Sequence, residues 1–257
     1  MLFSVSHHSK NKNQAGEIRC PYNQLGTILD FIKKNPNKRY VVSIPDDTTK
    51  VQIERGIKQI ELLKDMAPNY TVQCSNVHQL RDLLNEGYNA FLKYSITDWE
   101  LFAEMRDLKV SDIYIDGPLG FQMSVSKKGK GNIKIRVSPT VSPNAALVNR
   151  DICSFYIRPE DLKQYSDAID IIDFKAPNQD VEDTLFSVYT RGTFSYDIAD
   201  LINGLPQDLN NLIFKDEFAS CRLNCGQKCK IPGHSCHYCD NYFTIIQQMH
   251  DLAKRQD

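Results

Sequence analysis

Seven side chains able to ligate a metal fall within nineteen residues near the C-terminus: Cys221, Cys225, Cys229, His234, Cys236, His237 and Cys239. Cys236-His237-Tyr238-Cys239 is a C-x2-C pair, and Cys221, Cys225 and Cys229 repeat at intervals of four. On a helix, that interval places Cys221 and Cys225 on one face as a preformed bidentate element. Two such pairs close a tetrahedral zinc site or supply the four thiolates of a 4Fe-4S iron–sulfur cluster. Spacing does not select which four of Cys221, Cys225, Cys229, Cys236 and Cys239 ligate, nor which metal they hold; a ligating His234 tilts the choice toward zinc. Gly226, Pro232 and Gly233 favour the tight backbone such a site needs. The polar neighbours Arg222, Asn224, Gln227, Lys228 and Lys230 fit poorly with cysteines packed as small hydrophobes.

The other cysteines, Cys20, Cys74 and Cys153, are scattered, unlike a secreted disulfide framework, so metal chemistry in a reducing compartment is expected. The N-terminus lacks the charged and long apolar regions of a signal peptide, and no apolar run approaches the roughly 20 residues of a membrane span. These features predict a cytoplasmic protein without a membrane partner. The chain of 257 residues carries 31 basic and 32 acidic side chains, which gives no whole-molecule electrostatic case for nucleic acid and leaves only a local basic groove. Its 41% hydrophobic content is enough to bury a substantial core.

The cluster must be positioned by what precedes it. Eight apolar runs, at 2–6, 40–44, 70–74, 90–94, 113–116, 133–138, 154–158 and 169–174, alternate with amphipathic segments. Thr97-Asp98-Trp99-Glu100 is a capping box opening a helix through Leu101, Phe102, Met105 and Leu108. Leu25, Ile28, Leu29 and Ile32 recur at helical spacing before Asn35-Pro36, and Asp47-Thr48-Thr49 precedes a run through Ile60 and Leu63. Asn76 can cap a helix carrying Leu80, Leu83 and Leu84. This alternation predicts an α/β fold, a (β/α)8 TIM-like barrel over 1–192, with an open doubly wound sheet as the alternative. Residues 193–257 are expected to form a helical, cysteine-rich metal-binding extension.

In such a barrel the active-site groups follow the carboxyl ends of the strands. Those positions hold His7, His8, Asp46, Asp47, Cys74, Lys93, Asp116, Ser138, Thr140, Arg158, Glu160 and Lys175. Asp47 and Glu160 also suit helix N-termini. Lys93, Arg158 and Lys175 are candidate anchors for anionic groups, and Asp116 with His7 are candidate proton carriers. Paired ions closing the barrel top are the structural alternative. The sequence contains no G-x-S-x-G elbow, Walker loop, G-x-G-x-x-G or H-E-x-x-H, which disfavours serine hydrolases, P-loop chemistry, dinucleotide binding and zincin proteolysis.

The segments Ser154-Phe155-Tyr156-Ile157-Arg158-Pro159-Glu160-Asp161-Leu162 and Ile171-Ile172-Asp173-Phe174-Lys175, followed by Tyr189-Thr190-Arg191, resemble the collagenase-like peptidase family. That family includes ubiquinone-biosynthesis accessory proteins and proteins required for tRNA and ribosomal RNA hydroxylation. The resemblance implies a barrel and a four-cysteine iron–sulfur cluster serving oxygen-independent or prephenate-linked hydroxylation. Family cysteines fall largely between the later strands, where only Cys153 stands here. Two functions are therefore expected: a metal-dependent enzyme modifying a small polar or anionic substrate or a nucleobase, or a non-catalytic accessory protein whose cysteines form a structural zinc knot and whose barrel binds a protein partner.

Overall fold

The computed structural model describes residues 1–44, 50–96, 99–115, 132–138, 167–174, 176, 178–192, 244 and 248. Nine parallel strands form one sheet in the order β5-β4-β3-β2-β1-β9-β8-β7-β6. They are β1 (Leu2–Ser6), β2 (Glu17–Pro21), β3 (Arg39–Ser43), β4 (Tyr70–Cys74), β5 (Ala90–Leu92), β6 (Ser95–Ile96), β7 (Asp112–Ile115), β8 (Lys134–Val137) and β9 (Ile171–Asp173). Two residues separate β5 from β6; β5 bonds to β4 and β6 to β7. They are two halves of one bent stave, so the sheet curls into a nearly closed, all-parallel barrel of eight staves.

The helices are α1 (Leu29–Lys34), reached through a 3-10 segment Tyr22–Ile28, then α2 (Lys50–Met66), α3 (Val77–Asn85), α4 (Trp99–Asp107) and α5 (Gln179–Arg191). Asn76 caps α3 by accepting from the Gln79 N–H at 2.9 Å, and Asn178 caps α5 by accepting from the Val181 N–H at 3.0 Å. Gly192, with φ +75°, ends α5 in the left-handed conformation that glycine adopts without a Cβ penalty. None of these helices is long and apolar enough to cross a membrane.

One stave is not among the expected runs: Glu17–Pro21, which comes before the Leu25–Ile32 helical stretch and pairs with both β1 and β3. The expected run 40–44 falls on β3, the third stave and not the second. The expected run 154–158 lies outside the described residues, and β8 bonds directly to β9 at Arg136↔Ile171.

Side chains alternate along each stave, and the two faces have opposite chemistry. Val5, Ile18, Val42, Val72, Ile113, Ile135 and Phe174 point outward and are buried under the helices with Ile32, Ile60, Leu80, Met105 and Leu185. Phe174 anchors the α5 contact, with ring centroids 5.6 Å from Phe3, 5.9 Å from Phe186 and 5.2 Å from Tyr189. The inward positions include Glu17, Arg39, Asp112, Arg136 and Asp173, all of them buried. Among the described residues, Val41, Phe91 and Tyr114 form a small separate apolar group there.

Candidate functional site

The inward charges meet across the barrel. Arg39 on β3 reaches Asp112 on β7, a strand it does not neighbour in the sheet, with Nη2 to Oδ1 at 2.5 Å and Nη1 to Oδ2 at 2.8 Å. The same Arg39 Nη1 donates to Glu17 Oε2 at 2.9 Å. Arg136 on β8 donates to Glu17 Oε2 at 2.9 Å, to Asp112 Oδ2 at 2.7 Å and, through Nη2, to Glu17 Oε1. Two guanidinium groups and two carboxylates thus close an electroneutral quartet at the centre of the barrel. The Arg136 guanidinium also lies over the rings of Phe91, at 4.9 Å, and Tyr114, at 5.3 Å, so the small apolar group faces a cation with its electron-rich surfaces.

A second tier stands toward the carboxyl ends of the staves. Arg19 Nε lies 2.8 Å from Asp173 Oδ1, and its Nη2 lies 2.9 Å from Glu182 Oε2 while donating to the Phe174 carbonyl at 2.8 Å. Arg136 Nη2 is 3.7 Å from Asp173 Oδ2, which links the tiers. Glu182 also accepts from the Ser6 N–H at the end of β1. It therefore docks the first turn of α5 on β1, β2 and β9 together. Beside it, Asp183 accepts from Ser9 Oγ at 2.5 Å and Asn11 Nδ2 at 3.0 Å, tying the β1–β2 connection to the same helix.

Burying so many charges is costly unless each is paired and hydrogen-bonded, and here the pairing is dense. Complete burial pushes the Glu17 carboxyl above the usual carboxylate range, against the opposing pull of Arg136 and Arg39. A barrel interior of this kind is usually filled by layers of branched aliphatic side chains. Here the lower layers are ionic.

Of the five residues expected to anchor anions or carry protons, His7 and Lys93 are described. His7 follows β1 and is 5% exposed, with its ring centroid 3.8 Å from that of His8. Burial, then the neighbouring His8, holds its pKa below that of an ordinary histidine, so it is held neutral. Lys93 lies in the bend between β5 and β6, its Nζ 5.0 Å from the Tyr94 ring centroid. These two sit on diametrically opposite staves, and the structure does not bring them together. Asp116, Arg158 and Lys175 lie outside the described residues, as do Asp46, Asp47, Thr140, Cys153, Glu160 and the cluster Cys221, Cys225, Cys229, Cys236 and Cys239.

Cys74 ends β4 but faces outward into the helix-covered core, fully buried, and burial pushes its thiol up to about 12. Cys20 is buried in the same core with its thiol also pushed up to about 12. Both are packing residues and not thiolate donors at the mouth. Among the described residues no group of three or more His, Cys, Asp or Glu side chains is placed to hold a metal ion. Comparison with family models, with curated proteins and with solved structures gave no match to this chain.

Proposed function

We propose that this chain is a metal-dependent barrel enzyme, resembling the collagenase-like peptidase family, that modifies a small polar or anionic substrate or a nucleobase at the carboxyl end of its staves. The observation that carries this reading is the two-tier ion lattice. A barrel whose interior is ionic up to Arg19, Asp173 and Glu182 gives the mouth a rigid, polar floor, and preorganised dipoles and charges of that kind stabilise charge developing in a reaction. Replacing buried ion pairs by an apolar filling is often neutral or stabilising, so the presence of the lattice favours a chemical role.

The residues assigned to the chemistry are those that follow the staves: Lys93, Arg158 and Lys175 as anchors for anionic groups, and Asp116 with His7 as proton carriers. His7, with its pKa held below the ordinary value by burial, would rest neutral, with one ring nitrogen free to accept a proton. The metal donors are drawn from Cys221, Cys225, Cys229, Cys236 and Cys239. Cys20 and Cys74 are buried in the helix-covered core with raised pKa values, which favours the terminal donor set, and thiolates suit a 4Fe-4S cluster or zinc equally. Such a centre would supply electron transfer if iron–sulfur, or Lewis acidity or a fold-stabilising knot if zinc.

A second reading, a non-catalytic accessory protein whose cysteines form a zinc knot, is favoured by the mutual pairing of Arg39, Arg136, Glu17 and Asp112. That pairing shows lattice charges bonded to one another. Anaerobic purification followed by absorption spectroscopy and metal analysis separates the two. A brown protein containing iron and sulfide supports the enzyme. A colourless protein with one zinc, together with unchanged ligand binding when Asp116, Arg158 and Lys175 are replaced together, favours the accessory reading.

A further inference from the structure

At the opposite end of the barrel, the amino ends of β3, β4, β7 and β8 and the residue before β5 border a cavity of about 570 Å3. Four cations line it, Arg39, Arg106, Lys109 and Lys134, and no Asp or Glu stands among its lining residues. The amides of Asn69, Asn89 and Asn132 add neutral donors, and Tyr70 and Ile133 give it an apolar side. Its size falls within the roughly 300–1,000 Å3 of small-molecule sites.

The four cations are not equivalent. Arg39 is committed to Glu17 and Asp112, which neutralise it, so it gives the cavity a fixed polar floor and not a free charge. Arg106 has only a long surface contact to its neighbour Asp107, at 3.4 Å. Lys109 and Lys134 make no ion pair among the described residues. Lys134 is partly buried; desolvation, then Arg39, holds its ammonium pKa below the ordinary lysine value, against the opposing pull of Asp112, Glu17 and Asp170. A bound anion would compensate the desolvated charge directly.

Lys109 supplies an independent observation. It occupies the position after α4 at which the chain turns left-handed, with φ 55°, the only non-glycine with positive φ among the described residues. The Val110 N–H closes onto the Met105 carbonyl at 3.3 Å and the Lys109 N–H onto the Arg106 carbonyl at 3.0 Å, the helix-ending pattern in which glycine is the favoured residue. A lysine is held there at a conformational cost, on the rim of a cationic cavity.

We propose that this cavity binds a small phosphate-bearing ligand, with Lys134 and Lys109 as its principal charge partners, Arg106 at the rim and the asparagine amides donating to its oxygens. The site lies at the end of the barrel away from the mouth and does not depend on the metal-enzyme reading. Titration calorimetry and thermal unfolding of the full chain with inorganic phosphate and with pyrophosphate, at ionic strength matched by sodium chloride, test it. Citrate serves as the carboxylate comparison.

Saturable pyrophosphate binding, weakened at least tenfold in Lys134→Gln and several-fold in Lys109→Gly, is the expected result. Lys109→Gly should leave the melting temperature of the free protein unchanged or higher, because glycine suits the left-handed backbone; it therefore reports on the site even if Lys134→Gln folds poorly. Binding no stronger than the chloride control, citrate binding tighter than pyrophosphate, or wild-type affinity in both variants would overturn the proposal.

Discussion

The outer and inner faces of the same staves solve the problem of burial in opposite ways. On β8, Ile135 and Val137 point outward into the core beneath the helices, while Arg136 between them is fully buried among Glu17, Asp112 and two aromatic rings. The outer face gains free energy from every apolar group it removes from water, without directional demands. The inner face roughly exchanges desolvation for Coulombic attraction, but only in one arrangement of partners. One face gains from burial alone, and the other ties β3 to β7 and β8 to β2 and β7 through directed ion pairs.

The sharpest way to break this contrast is to remove one lattice member. Arg136→Met should cost about 3–5 kcal/mol, because Glu17 and Asp112 are left buried without one of their two cations. Urea unfolding followed by circular dichroism measures it. A conservative trim of the outer face should cost less: Ile135→Val is expected to lose about 0.5–1.5 kcal/mol, through lost contact and a small cavity. Removing the cap of the helix that carries Glu182 comes next, with Asn178→Ala expected to cost about 1 kcal/mol.

The smallest expected effect is a pH dependence at the edge of the outer core. The folded-state pKa of His7 lies below its ordinary value of 6.5, so the unfolded chain binds its proton more readily. Its contribution to stability is complete above about pH 6.5 and falls as pH drops toward the folded value. The groups around it are His8, Gln24 and Lys12, together with the Arg19 backbone. His7→Gln should flatten that part of the stability profile between pH 7 and pH 5, and a slope unchanged from wild type would remove His7 as its source.

The same contrast explains what could be read from the sequence. Helices α3 and α4 were legible because one face of each repeats apolar residues at helical spacing and Asn76 stands at the expected cap. Strands are legible where the apolar residues are interrupted only by uncharged ones, as in β1 (Leu2–Ser6) and β4 (Tyr70–Cys74). Where charges alternate with apolar residues, no apolar run stands out: Glu17-Ile18-Arg19-Cys20 contains none, and the apolar runs at Tyr40 and Ile113 start one residue after β3 and β7 do, leaving out Arg39 and Asp112. Those omitted charges are the lattice. An alternation with a period of two, charged against apolar, was the signal, and it reads as a half-solvated strand unless the barrel closes over it.

The candidate site was legible only in outline. Strand ends rich in polar residues pointed to the mouth, yet position in sequence could not show that Cys74 turns away from it or that His7 and Lys93 lie on opposite staves. Side-chain direction depends on register, and a shift of one residue moves every side chain to the other face. The cationic cavity had no linear signature, because Asn69, Asn89, Lys109 and Lys134 come from segments far apart in the chain.

The central claim is that the ionic interior is kept for what it does and not for stability. Its most direct test compares the unfolding free energy of Arg136→Met with that of the combined replacement Glu17→Leu, Arg39→Met, Asp112→Leu and Arg136→Met. The account predicts that the combined variant recovers the loss of the single one and reaches wild-type stability or exceeds it by about 1–4 kcal/mol. A combined variant at least as unstable as Arg136→Met alone would show that the lattice holds the barrel together, and would contradict the claim.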